Sequence, residues 1–407
     1  MEDTEPPSVW QDIPDNILLR VAAYLPCRRD RVRLSSVNKH WRRALLGHGE
    51  GRPSQLPPMT MPLQLPWIIF PSTEAPSFFC DTDRVSHPLP LPPDVRTARF
   101  CGSYDEGWLL LSLDRSHRHA LYNLNSGARI PLPSGINIPR RPNNSAARNL
   151  PLVVRAAALS SPPSDSKPYI VGAIALVDAR WCPAFWFHGS QSWITPGPIG
   201  WGRQPLDVMY YRGCFYFITM GEDVVVYWPR CSPSGELEMN RLDYDMYERD
   251  DYQMDLGYVR GDGLMKYYLV ESRDSVYMAV RYIFDNGGTE YFRVFLLNIM
   301  PPAARGLPPR AAWVNLYSLD GRMLLLGRGC SRSFEAAQFD GFEDSIIYFP
   351  DDRFILEKTV DRRYYSFTDM GKYSVGIDSL FEPWQPWPPL DRRPARSDNA
   401  PPIWWFL

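Results

Sequence analysis

The residue types able to do chemistry are scattered along this chain rather than gathered at motif spacing. His117 and His119 flank Arg118 in polar text, which suits an exposed loop pair better than a metal site. Glycoside hydrolysis needs two carboxylates placed across a pocket. The acidic pairs Asp250-Asp251 and Asp351-Asp352 sit instead in turn-like text. There is no P-loop, no GxSxG and no HExxH. The seven Cys, at 27, 80, 101, 182, 214, 231 and 330, include no CxxC pair and are odd in number. They are expected to be reduced, mostly buried thiols. The expectation is therefore a chain that is not an enzyme and holds no cofactor and no metal.

One further stretch has a composition with chemical consequences. Leu242 to Leu256, LDYDMYERDDYQMDL, interleaves six acids with three Tyr and a single Arg. A solvated loop accounts for it. A sharper alternative makes Asp245, Tyr247, Asp250 and Asp251 candidates for holding a basic partner, because acidic clefts focus cations.

The elements that must position such groups are short strands. Pro supplies 41 of 407 residues, about twice the usual ~5%. Dispersed Pro with 14% aromatic residues disfavours long helices. From Leu63 onward, about sixteen apolar runs alternate with turn signals, among them GWLLLSL (107–113), YIVGAIALV (169–177), CFYFIT (214–219) and SVYMAVRYIF (275–284). Arg212-Gly213 and Asp320-Gly321 read as tight hairpin turns, and Asp285 to Gly288 as a longer one. Runs such as 214–219 and 275–284 are apolar on both faces. A sandwich exposes one face of each sheet, whereas propeller blades stack and bury both. The spacing predicts a β-propeller of roughly five or six blades. The Pro-rich tail ends in Ile403-Trp404-Trp405-Phe406, and so apolar a terminus is expected to pack back onto the propeller, closing the ring with residues 63–70.

The amino-terminal forty residues follow a different period. Ile13-Pro14 opens a segment with Ile17, Leu18, Val21 and Leu25 at helical spacing, stopped by Pro26. A second run places Val32, Leu34, Val37, Trp41 and Leu45 roughly on one stripe. Two or three helices of this size bury little by themselves, so a leftover apolar stripe points to a partner. Between Val9 and His48, eight basic residues face three acidic ones, while the whole chain is −2. A local basic excess beside an apolar stripe, without a stacking platform, favours an acidic protein over nucleic acid. The longest apolar run is too short to span a bilayer, and MEDTEPPSVW has no signal-peptide pattern. No membrane partner is expected, and the cytoplasm or nucleus is the expected location.

The residues Ile13-Pro14, Ile17-Leu18, Val21, Leu25-Pro26, Val32, Val37, Trp41 and Arg42 together resemble an F-box, the adaptor-binding module of SCF-type ubiquitin ligases. Asn38-Lys39-His40 departs from the family, where a Cys-Arg pair is common before the Trp. The strings GWLLLSL with LYNLNSGARIPLP, YYRGCFYFIT, AWVNLYSLDGRMLLLG, SIIYFPDD and PPIWWF resemble the KIB-type, kelch-like β-propeller, which follows an F-box in a large plant family. The pairing implies a multidomain α plus all-β chain. Residues 1–8 are a disordered N-terminus, 9–48 a three-helix F-box, 49–62 a linker, 63–381 the propeller and 382–407 the Pro/Trp-rich tail. It implies docking on a Skp-type adaptor, and through it a cullin–RING ligase, by Ile13, Pro14, Ile17, Leu18, Val21, Leu25, Val37 and Trp41. The propeller would then hold a target protein for ubiquitylation. A propeller enzyme acting on a glycan or ester, and a scaffold that triggers no degradation, are the alternatives.

Overall fold

The computed structural model describes residues 13–25, 27–46, 65–113, 117–138, 148–163, 167–200, 203–231, 237–247, 264–283, 288–339, 341–352, 365–376, 384–394, 396–398 and 400–406. The chain divides into two compact units, Met1–Pro66 with Cys80–Val85, and Trp67–Phe79 with Ser86–Leu407.

The first unit carries three short helices, α1 (Asp15–Tyr24), α2 (Arg28–Ser35) and α3 (Lys39–Leu46). Pro14 precedes α1 as its N-cap, and its carbonyl accepts the N–H groups of Ile17 and Leu18. Asp15 sits in the first turn, at the positive end of the helix dipole. The apolar text from Val32 to Leu45, expected as one stripe, is broken after Ser36. Asn38 begins α3 afresh by accepting the Trp41 N–H at 2.8 Å. This restart turns Trp41 inward and leaves Val37 outside. It also gives Asn38, which departs from the F-box pattern, a structural role as a helix cap.

The second unit is a six-bladed propeller. The inner strands of the first five blades are Ile403–Trp405, Arg99–Tyr104, Val153–Leu159, Pro205–Tyr211 and Leu264–Ser272. The first, second and fourth of these blades are four-stranded sheets, whereas the third belongs to a six-stranded sheet and the fifth to a five-stranded one, each with one parallel pair. The sixth is a five-stranded mixed sheet whose inner strand is Arg332–Glu335. These six inner strands pack side by side in that order. The strands Cys214–Thr219 and Ser275–Ile283 are buried on both faces, as stacked blades require. Apolar clusters fill the spaces between blades two and three, three and four, four and five, and five and six.

The carboxy-terminal segment supplies a strand of the first blade, with Trp67 opposite Trp405, Ile68 opposite Trp404 and Ile69 opposite Ile403. Trp404 donates its indole N–H to Leu326 O in the sixth blade at 2.6 Å, and Gly107 N–H of the second blade donates to Phe406 O at 2.8 Å. The last residues thus tie the first blade to both of its neighbours.

Two local expectations need correction. Arg212-Gly213 does turn Tyr211 back onto Cys214, with φ of 47° and 82°. Asp320-Gly321 has the same positive φ values, 49° and 83°. It does not join a hairpin, because the strand before it pairs within the fifth blade and the strand after it within the sixth. Asp285 to Asn286, the start of the third expected turn, lies outside the described residues. His119, expected in an exposed loop, begins the strand His119–Asn123 and is buried. Its Nε2 accepts the Val154 N–H at 3.1 Å, while His117 Nδ1 lies 3.2 Å from Leu152 O. Each ring is thus engaged by a different backbone group.

Candidate functional site

The helical unit separates its apolar residues by face. Leu18, Leu19 and Ala22 of α1 and Trp41 of α3 are buried, Trp41 with 7% of its surface exposed. Ile17, Val21 and Tyr24, at positions i, i+4 and i+7, share the opposite face of α1 and are 44%, 44% and 76% exposed. Val32 and Val37 are exposed as well. Of the eight residues expected to dock on an adaptor, Pro14, Ile17, Val21 and Val37 face solvent, and Ile13 and Leu25 are half-buried. Leu18 and Trp41 are buried. The sequence period marks both faces of α1 as apolar, so it cannot say which one is turned outward. Tyr24 was missed for that reason, while Val32, on α2, was read as part of the second stripe but not as a docking residue.

Polar contacts hold α3 to the start of α1. His40 Nε2 lies 2.9 Å from Ile13 O and 3.5 Å from Asp15 Oδ1, and Arg43 donates to His40 Nδ1 at 3.2 Å. A proton on Nε2, donated to the Ile13 carbonyl, fits both hydrogen bonds. Arg20, Arg33, Lys39, Arg42 and Arg43 of the same three helices are exposed.

On the propeller, a hollow of about 400 Å³ opens where several inner strands end. Its walls include Tyr104, Tyr210, Tyr211, Arg212, Glu271 and Arg332. The rim charges are held in place by partners. Arg212 pairs with Asp274 at 3.0 Å, and Glu271 Oε1 accepts the Asp274 N–H. Arg332 lies 3.5 Å from Asp105 and over the Phe406 ring at 4.9 Å. Tyr104 donates its hydroxyl to Ala157 O at 2.9 Å, and burial pushes its pKa well up, so it stays a neutral donor. Such a hollow brings aromatic faces, acids and guanidinium groups together.

The acidic candidates lie elsewhere. Asp245 and Tyr247 sit on an edge strand of the fifth blade, Asp245–Tyr247, paired in parallel with Arg310–Leu316. Tyr247 accepts a hydrogen bond from Arg310 at 2.7 Å. Neither residue lines the hollow. Asp250 and Asp251 lie outside the described residues.

A buried polar network joins blades five and six, and sequence reasoning did not find it. Arg281, with no exposed surface, donates to Thr289 Oγ1, Pro350 O, Asp352 Oδ1 and both the backbone and side-chain oxygens of Asp369, at 2.8–3.0 Å. Its guanidinium also lies over the Phe349 ring at 4.5 Å. Lys266 donates to the Asp352 carbonyl. Burial pushes the Lys266 amine well down, and Asp352 opposes that shift. Burial would raise Asp352, but Lys266 and Arg281 hold it below the usual carboxylate range. Asp351 accepts the Asp369 N–H at 2.9 Å. Asp351 and Asp352 are thus buried, hydrogen-bonded fasteners inside the sheet stack.

The family model described as the KIB1-4 beta-propeller matches residues 77–374, well over half of the chain. The chain belongs to the KIB1-4 beta-propeller family. An F-box-like model matches residues 10–48, the stretch that holds α1, α2 and α3. An F-box-like module joined to a KIB1-4 propeller is the architecture of an F-box substrate-adaptor protein.

No curated protein matches this KIB1-4 chain. Similar solved structures include a BBS1N–ARL6DN complex soaked with mercury, at 12% identity over 66% of this chain and 78% of that one, with a TM-score of 0.27. Dihydro-heme d1 dehydrogenase NirN in complex with DHE is 13% identical over 72% and 70%, with a TM-score of 0.30. A streptogramin B lyase is 10% identical over 78% and 85%, with a TM-score of 0.24. Likeness this slight carries no argument about what the KIB1-4 propeller binds. Among the described residues, no helix is long and apolar enough to cross a membrane.

Proposed function

We propose that this chain is the non-catalytic, substrate-recognition subunit of a Skp–cullin–F-box ubiquitin ligase. The observation that carries the proposal is the solvent-facing row Ile17, Val21 and Tyr24 on α1, within the F-box-like stretch of a chain that continues into a propeller. An exposed apolar row on a small, basic helical unit fits a groove on an acidic, Skp-type adaptor. The propeller would hold the target in the hollow bordered by Tyr210, Tyr211, Arg212, Glu271 and Arg332. The contribution to ubiquitin transfer is then proximity and orientation, with the thioester chemistry carried by other subunits.

The test is direct binding of the full chain to a recombinant Skp-type adaptor. Ile17→Asp with Val21→Asp places charge on exposed positions, so the fold is retained while docking is lost. Removing anchors of this kind costs about 2 kcal/mol or more, roughly a 30-fold loss of affinity. Unchanged affinity in a variant with native helix content would refute the docking face. Turnover of a propeller-bound target in cells, with and without the double substitution, separates a degradative adaptor from a scaffold.

A further inference from the structure

Cys27 and Cys80 are 53 residues apart in sequence, yet their sulfurs are 3.7 Å apart in the first unit. Both side chains are buried, with 2% and 0% of their surface exposed. A carboxylate oxygen of Asp83 lies within 4.8 Å of each sulfur. Asp83 Oδ1 also accepts the Val85 N–H at 3.2 Å, which fixes the direction of the carboxylate. Cys27 is the N-cap of α2, so the positive end of that helix favours a thiolate there.

We propose that Cys27, Cys80 and Asp83 form a binding site for a zinc-class divalent cation. The spacing supports this directly. Two thiolates bound to zinc at about 2.3 Å and a tetrahedral angle stand about 3.8 Å apart. The observed separation is that of a tetrahedral edge, whereas a disulfide needs the sulfurs at about 2.05 Å. Two sulfurs with one carboxylate select zinc over magnesium or calcium, which prefer all-oxygen shells. The exposed side of Asp83 leaves the fourth position to water. A thiol gives up its proton when it ligates a metal. Binding therefore exchanges protons for metal: two S–H bonds break, two Zn–S bonds form and two protons leave. The cation would pin the start of α2 to the Cys80–Val85 turn, within the same unit.

The experiment uses the full chain with exposed Cys231 changed to Ser, stripped with a chelator and titrated with Co2+, then Zn2+. The expected result is one Co2+ per chain, with thiolate-to-cobalt charge-transfer absorption that Zn2+ displaces. Release of two protons makes the apparent affinity rise about 100-fold per pH unit while both thiols are protonated. Cys80→Ser should abolish the absorption, and Asp83→Asn should weaken binding about tenfold or more. Absence of the band at one equivalent, a band that survives Cys80→Ser, or loss of two hydrogens by mass as the two cysteines oxidise to a disulfide would each overturn the site. If Cys80→Ser does not fold, Asp83→Asn at its exposed position decides the matter: an unweakened cobalt affinity refutes the site.

Discussion

Asp207 of the fourth blade accepts the backbone N–H of Gly329 in the sixth blade at 2.6 Å, beneath the wall of the hollow that Gly329 helps to form. Its second oxygen accepts the Leu269 N–H of the fifth blade at 2.8 Å. One carboxyl group thus bridges three blades at the propeller axis. Burial raises its pKa from 3.8 to about 7, and the two N–H bonds and Arg328 oppose that shift without cancelling it.

That shift makes stability depend on pH with a definite sign. Between about pH 4 and 7 the unfolded chain has released the Asp207 proton while the folded chain keeps it. Stability from this group is therefore full near pH 4 and is lost as pH rises through about 7, by on the order of 4 kcal/mol. Asp207→Asn removes the titration. It also presents an amide N–H₂ to one of the two backbone donors, leaving that donor unpaired at a cost of about 1–3 kcal/mol. Denaturant unfolding of both chains at about pH 5 and about pH 8 reads the difference. The variant should start less stable at the acid end and show a flatter pH dependence. An unchanged slope would show that Asp207 ionises normally in the folded chain.

Arg281 supports a second prediction. Arg281→Met keeps much of the volume but takes the guanidinium away from buried Asp352 and Asp369, leaving Asp352 only Lys266. Breaking one side of a buried pair costs about 3–5 kcal/mol. The quadruple change Lys266→Met, Arg281→Met, Asp352→Leu, Asp369→Leu should recover much of that loss, because apolar replacement of a whole buried ion network is often neutral. Thermal unfolding of the two chains measures it. If the single variant proves as stable as the parent, the guanidinium is not the fastener its five hydrogen bonds indicate.

Trp41 separates folding from docking. It is buried, so Trp41→Ala should cost about 3–5 kcal/mol and melt the helical unit. Loss of adaptor binding by that variant would accompany loss of helical circular dichroism and says little about contact. Val37→Asp, at an exposed site, should change stability by no more than about 0.5 kcal/mol. Its effect on adaptor affinity therefore reports contact alone. Native helicity in Trp41→Ala would contradict the burial of this ring.

The contrast between these residues shows what a sequence can carry. Both-face apolarity in 214–219 implies stacked blades because strand period and burial are local properties. Helical period identifies α1 in the same way, but Ile17 and Leu18 are adjacent and equally apolar, so only packing decides which is exposed. Arg281, Asp352 and Asp369 come from distant strands and loops, and no spacing rule joins them. Cys27 and Cys80 escape a motif search for the same reason. The tight turns Asp178-Ala179 and Arg273-Asp274 lack the glycine that marks such turns, and their positive φ values are imposed by the strands they join.

Ring closure gives the last prediction. Trp404 is fully buried, stands opposite Ile68 and donates to Leu326 O, so one side chain ties the first blade to the sixth. Trp404→Ala removes both the filling and the donor and should cost about 3–5 kcal/mol. Trp404→Phe keeps most of the ring volume but leaves the Leu326 carbonyl without that donor, costing about 1–3 kcal/mol. Deleting residues 403–407 goes further, since it bares the edge of Trp67–Phe70, a strand buried along its whole length. An exposed apolar edge pairs with other chains. Size-exclusion chromatography should therefore show the truncated chain aggregated, with Trp404→Phe monomeric and only modestly destabilised. A truncated chain that stays monomeric and keeps its melting temperature would mean that the propeller closes without its carboxy-terminal strand.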